Sequence, residues 1–354
     1  MIHIGKYIAA GFAGLMLMGL ASCSGFIFDD EGDCEVTHTM RFRYEKNLKW
    51  ADAFPSEVKA VNLYAFDSDG VFVKEFSGAG EALADPSYGI RLDLPAGDYR
   101  FVAWCGLVDG ESFTVPQPRA GVTTIEELTC SLNTIRTASL VEDGGYSDRK
   151  LDFLYHGYLE ASITDDVSVL DREYTMYLTK DTNHIRIIVQ ELSGEGLEAD
   201  DYDIMIQDDN GEMAYDNELR PGGVVTYRPW FQDIDELGVG KDAAEGGLQY
   251  INGLYADLTV ARMMASHEDD MMLTITRRDS KEIVARIPIL QYALLSKRYY
   301  EDAYGHAMPD DQEFLDREDE YVMTFFLVNH KLVDGLVMVH SWRIVRHDYD
   351  LGAE

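Results

Sequence analysis

The sequence predicts an all-β chain with minor helices, folded as two β-sandwiches. Three observations carry this. Runs of β-branched and aromatic residues alternate with polar ones at a period of two. The runs return about every ten residues, separated by Gly-, Pro- and Asp-rich turns. The chain, at 354 residues, is longer than one hydrophobic core usually serves. An apolar fraction of 46%, with 21 Tyr, 15 Phe and 4 Trp, supplies such cores despite a formal charge of −34 from 64 acidic and 30 basic side chains. The acidity argues against a nucleic-acid partner, because phosphate backbones are held by clustered Lys and Arg and repelled by carboxylates.

Residues 1–22 read as a processing segment. Lys6 precedes an apolar run from Tyr7 to Leu20, about two thirds of the ~20 residues that span a bilayer, which is the length of a signal-peptide core. Leu20-Ala21-Ser22-Cys23 forms a lipobox and resembles bacterial lipoprotein precursors cut just before the cysteine. Cys23 is then the first mature residue and carries a covalent diacylglycerol and an N-acyl lipid, its thiolate being the soft nucleophile that thioether formation needs. Ser24 rather than Asp follows, and by resemblance to lipoprotein sorting the destination is the outer membrane, with the protein at the cell surface. Residues 23–35 form an acidic tether. Within it Asp29, Asp30 and Glu31 read either as a solvated linker or as an export signal resembling that of surface lipoproteins. Three further cysteines, Cys34, Cys105 and Cys130, leave the pairing of any bridge open, although Cys105 in its apolar run reads as a buried thiol.

The first domain is expected over 36–170. Val36 to Tyr44 alternates as a half-buried strand. Val58 to Phe66, the turn Asp67-Ser68-Asp69-Gly70 and Val71 to Phe76 read as a hairpin. Ile90 to Leu94 and Tyr99 to Gly106 read as a second hairpin, with Pro95 and Gly97 supplying the turn. Thr123 or Thr124 with Glu126 or Glu127 predicts a short helix over 123–130, and 138–150 reads as a solvated loop that includes Arg149-Lys150. A strand follows over Phe153 to Glu160. After a polar stretch near 165–173, the second domain, 171–354, opens with Tyr174 to Leu178 and Asn183 to Leu192. Strands at Tyr202 to Gln207 and Gly223 to Tyr227 flank an Asp208-Asp209-Asn210-Gly211 turn. A hairpin joins Met271 to Thr276 with Ile283 to Leu290. Pro309 and its acidic first turn predict a helix over 309–319, and Tyr321 to Asn329 and Leu336 to Val345 are final strands.

The search for chemistry predicts no enzyme. There is no nucleophile elbow, no His-Glu-x-x-His run, no complete phosphate loop and no zinc-style cysteine spacing. The two Asp-rich turns lack the glutamate that closes a calcium loop, Phe76 and Asn217 standing in its place, so both read as turns. No metal and no small-molecule cofactor is expected.

Several segments carry a resemblance: the lipobox and acidic tether, Val58 to Val73 (VKAVNLYAFDSDGVFV), Leu94 to Leu107 (LPAGDYRFVAWCGL), Leu154 to Gly157, Leu178 to Ile187 and Phe314 to Tyr321. Together they resemble the FimB-like lipid-anchored subunits of type V, lipoprotein-derived fimbriae of Gram-negative anaerobes. The resemblance implies two tandem transthyretin-like β-sandwiches and a structural, non-enzymatic anchor or accessory subunit. Its partners would be outer-membrane lipid and fimbrial subunits, the latter joined by β-strand addition. The basic residues of the first mature strands, among them Lys46 and Lys49, single out no processing site, which favours an anchor over a shaft subunit. A surface carbohydrate-binding lipoprotein of a glycan-uptake system is the alternative, with Trp50, Trp230 and Trp342 as candidate aromatic platforms.

Overall fold

Period-two alternation produces β1 (Thr37–Arg43), which turns Met40 and Phe42 into a core and Arg41 outward. These positions come from a computed structural model that describes residues 36–108, 110–136, 144–240, 248–305, 307–339 and 342–344. After a short helix α1 (Phe54–Glu57), β2 (Ala60–Asp67) and β3 (Phe72–Ala79) pair antiparallel as expected. Their turn is closed by Asp67, whose carboxylate accepts the N–H groups of Asp69 (3.0 Å) and Val71 (2.9 Å). Gly70 sits at φ +79° and donates to the Asp67 carbonyl. The aspartate is thus consumed as a turn cap.

The next expectation needs correction. β4 (Gly89–Arg91) and β5 (Gly97–Cys105) do not form a hairpin: β4 pairs with β1, whereas β5 pairs with β2. The Pro95–Gly97 turn carries the chain from one sheet to the facing one. Ile90 and Leu92 on one side, Phe101, Ala103 and Cys105 on the other, all enter one core. A sandwich crossing therefore satisfies the same alternation that a hairpin would.

Further along come β6 (Phe113–Thr114), β7 (Cys130–Leu132), β8 (Gly145–Ser147), β9 (Tyr155–Ile163), β10 (Asp171–Tyr177) and β11 (Thr179–Lys180). The helix expected over 123–130 is a single 3₁₀ turn, Ile125–Glu127. Thr124 and Glu127 form its capping box, and β7 begins three residues after Glu127, at Cys130. One sheet runs β10-β1-β4, and a five-stranded sheet runs β11-β9-β5-β2-β3. Both faces of the latter are covered. Val61, Leu63, Phe101 and Cys105 pack toward Met40 and Phe42, while Tyr64, Phe66, Val102 and Trp104 pack on Phe113, Ile125, Leu128 and Cys130. Cys105 and Cys130 consequently belong to cores on opposite faces of this sheet. Both are buried free thiols, with burial pushing their pKa values up, and Cys34 lies outside the described residues.

The second half supplies β12 (Thr182–Glu191), β13 (Tyr202–Asp208), β14 (Glu212–Met213), β15 (Val225–Tyr227), β16 (Phe231–Gly240), β17 (Leu248–Ala261), β18 (Met272–Arg277) and β19 (Ile283–Pro288). Helices α2 (Ile289–Tyr304) and α3 (Asp311–Arg317) precede β20 (Glu320–Val328), β21 (Lys331–Val339) and β22 (Trp342–Ile344). A six-stranded sheet, β16-β17-β12-β20-β21-β22, faces a five-stranded one, β19-β18-β13-β15-β8. Ile185, Ile187, Val189 and Phe325 from the first meet Ile204, Ile206, Tyr227 and Leu273 from the second. The Asp208–Gly211 segment is structural. Asp208 lies 2.9 Å from His267, and the Asn210 side chain donates to the carbonyls of Ala261 and Arg262 while accepting from the Tyr227 hydroxyl. α3 starts later than Pro309 predicts, because the Asp310 carboxylate caps it by accepting the Glu313 N–H at 2.7 Å.

The two halves are interlocked. β7 pairs with β14 and β8 runs parallel to β15, so the first half contributes strands beside the second; β11, beyond residue 170, pairs with β9. Among the described residues, 36–37 together with 165–172 form a separate small unit, in which the Thr37 N–H donates to the Leu170 carbonyl at 2.7 Å. The described residues of 38–164 and 173–354 form one other unit. A buried ionic cluster lies within it: Arg262 is 2.8 Å from Asp181 and 3.2 Å from Asp316, and Lys46 is 2.6 Å from Asp316. Burial pushes the Asp181 carboxyl up to about 6 even though Arg262 and Asn217 oppose it.

Candidate partner interface

Cys23, Asp29, Asp30 and Glu31 lie outside the described residues. The described residues do contain an open sheet edge with a groove beside it. β19 ends its five-stranded sheet and, among the described residues, pairs only with β18. It turns Ala285 and Ile287 into the core and leaves Ile283 57% exposed at the edge. Between β19 and β21 runs a groove of about 520 Å³, whose apolar lining includes Ile283, Val284, Tyr292, Phe325, Leu332 and Val333.

The far wall is held rigidly. Asn329 and His330 have φ of +50° and +62°, the paired left-handed conformation of a tight two-residue hairpin between β20 and β21. Glu191, its side chain fully buried, accepts the N–H groups of Asn329 (3.1 Å), His330 (2.8 Å) and Ser193 (3.0 Å). Burial alone would raise its pKa, but these three donors outweigh burial and lower it. His330 is further tied to the Tyr202 hydroxyl at 2.7 Å. The other wall starts from α2, which buries Ile289, Leu290, Ala293, Ser296 and Tyr300 at helical spacing. A groove with fixed walls can take an extended segment without first ordering itself.

The candidate aromatic platforms separate in space. Trp50 is 41% exposed, yet its indole N–H donates to the Tyr300 hydroxyl at 2.9 Å and Arg317 lies 4.2 Å from its ring, so it fastens the first half to α2 and α3. Trp230 sits at the start of β16 near Phe231 and Lys150. The side chain of Trp342 lies outside the described residues. Among the histidines, His156 is structural: it is buried against Trp104 at 4.7 Å and bonds the Tyr215 carbonyl, and burial lowers its pKa to about 3. No helix among the described residues is long and apolar enough to cross a membrane.

Sequence and fold comparisons agree with this architecture. The family model for fimbrillin-A associated anchor proteins Mfa1 and Mfa2 matches residues 30–348. The minor fimbrium anchoring subunit Mfa2 of Porphyromonas gingivalis is 23% identical over 300 residues, which is 79% of this chain and 78% of that protein. A candidate adhesin of Bacteroides thetaiotaomicron superposes with a TM-score of 0.73 at 31% identity, covering 88% of this chain and 97% of the other. The solved fimbrial anchor protein Mfa2 of Porphyromonas gingivalis gives a TM-score of 0.61 at 17% identity, covering 89% and 100%. The resemblance seen in the sequence is therefore upheld, with a mostly-β sandwich architecture and a family of structural proteins of the fimbrium. The chain belongs to the family of fimbrillin-A associated anchor proteins Mfa1 and Mfa2.

Proposed function

We propose that this protein is a non-enzymatic fimbrial anchor or accessory subunit, tethered at the outer membrane through acyl chains on Cys23 and joined to pilin subunits by β-strand addition. The observation that carries the joint is the unpaired edge of β19 beside its fixed apolar groove. An added strand gains main-chain hydrogen bonds along the edge, and alternate side chains of that strand reach the groove. An anchor needs a lasting hold on the membrane. Two or more acyl chains provide it, where one chain binds only marginally. Loss of residues 1–22 removes a single cation, Lys6, so the mature chain is slightly more acidic than the precursor and gains nothing from anionic lipid. The lipid therefore does the holding, and Asp29, Asp30 and Glu31 lie in the tether that carries the folded part away from the bilayer.

Two substitutions separate tether from joint. Cys23→Ala should move the protein from the outer-membrane fraction into soluble fractions; retention in the membrane would sink the lipid tether. Ile283→Asp, at an exposed position, should leave the protein membrane-bound and folded but cut the pilin that co-purifies with it by at least about tenfold, the cost of placing a charge in an apolar contact. Unchanged co-purification would place the joint away from β19.

A further inference from the structure

Across the molecule from the β19 groove, the outer face of the six-stranded sheet carries an aromatic corner with two cations, in a chain where acids outnumber bases two to one. We propose that the corner made by Trp230, Phe231, Lys150 and Arg186 binds an acidic sugar residue, of the uronate or sialate class, within a glycan. Phe231 opens the edge strand β16 and is 45% exposed. Trp230 lies 6.3 Å from it and is fixed in place, its backbone N–H donating to the Asp257 carbonyl at 3.0 Å and its indole N–H to the Thr259 hydroxyl at 3.1 Å. The Lys150 ammonium stands 5.3 Å from the centre of the Trp230 ring. Register puts Phe231 opposite Asp257 and Asp257 opposite Arg186 on one face of the sheet. Arg186, its side chain 42% exposed, is clamped by a two-point bond to Asp257 at 2.7 and 2.8 Å, so its orientation is set before any ligand arrives.

This combination suits a pyranose acid. The C–H face of a sugar ring packs on an aromatic ring. The oriented pair of Arg186 and Asp257 offers donors and acceptors for hydroxyls, and the Lys150 ammonium beside the aromatic rings is the cation for the sugar carboxylate. A densely charged polyphosphate fits less well, because Asp233, exposed on the same face of β16, and the overall charge repel it. The site is independent of strand addition, since it uses the opposite face of the sheet from the core and none of the groove residues.

The test is titration of the full mature chain with oligogalacturonate and sialyllactose, followed by tryptophan fluorescence and calorimetry, with cello-oligosaccharide as the neutral control. Saturable binding of at least one acidic sugar is expected, at least tenfold tighter than the neutral control. Phe231→Ala and Lys150→Glu, both at exposed positions, should each weaken it about tenfold or more without altering the melting temperature. No saturable binding of either acidic sugar, equal binding of the neutral one, or undiminished binding in both variants would overturn the proposal.

Discussion

Replacing Arg262 with Met is expected to lower the unfolding free energy at pH 7 by about 3–5 kcal/mol, the cost of removing one partner from a buried ionic group. The Arg262 side chain is 8% exposed and stands between Asp181 and Asp316, whose side chains are 0% and 5% exposed. Methionine preserves much of the stem's volume, but Asp181 then keeps the Asn217 amide, and Asp316 keeps Lys46 and the Gln312 amide, in place of the guanidinium. These residues come from the link between β11 and β12, the end of β17, helix α3 and the loop after β1, so the loss strikes where the halves interlock. Urea unfolding should change from one transition to two as the halves lose their coupling. Adding Asp181→Asn to Arg262→Met should recover part of the loss, because one uncompensated charge disappears. If the double variant is no more stable than the single, the effect lies in packing rather than charge.

That cluster also marks where the sequence ceases to be informative. Strand β1, the β2–β3 hairpin and β20 were legible because inward alternation and turn chemistry are local signals, as with Asp67 and Gly70. Arg262, Asp181 and Asp316 have no mutual spacing to read, since tertiary folding alone assembles them. The hairpin expected of β4 and β5 fails for a related reason: alternation states that Ile90 and Phe101 face a core, not from which side they enter it. Helix α2 was hidden because Ile289 and Leu290 continue the apolar run of β19, although Ala293, Ser296 and Tyr300 then follow at helical spacing. β16 and β17 carry no clear sequence signal, because the glycines and acids of Asp235 to Gly240 interrupt the alternation. Of the partner interface, the apolar character of Ile283 to Leu290 was visible. Its edge position was not, because it depends on β18 pairing with β13 on the other side.

Stability should be nearly flat between about pH 4 and 6 and fall steeply below, because two buried groups titrate in opposite senses. Burial holds His156 neutral to about pH 3, against an unfolded value near 6.5, so the unfolded chain binds the extra proton between them. Its contribution is complete above pH 6.5 and is lost as pH falls toward 3, at roughly 1.4 kcal/mol per pH unit. Asp181 behaves the other way. Its native pKa of about 6 exceeds the unfolded 3.8, so the native state binds the extra proton and gains stability as pH falls from 6 to 4. The slopes oppose each other in that window, and Asp208, whose carboxyl burial also pushes up, adds to the Asp181 side. Below it Asp181 has no more to give, while His156 keeps losing and two favoured carboxylates begin to protonate. One is Glu191, held low by its backbone donors. The other is Asp257, which burial disfavours but which Arg186 and His184 hold down to about 2. Asp181→Asn should therefore abolish the plateau and give a continuous decline from pH 6.5, whereas His156→Gln should make the protein more stable at pH 4.5 than at pH 7 relative to wild type. Urea midpoints measured from pH 3 to 8 decide this. A plateau that survives Asp181→Asn would show that the cancelling charge resides elsewhere than in the Arg262 cluster.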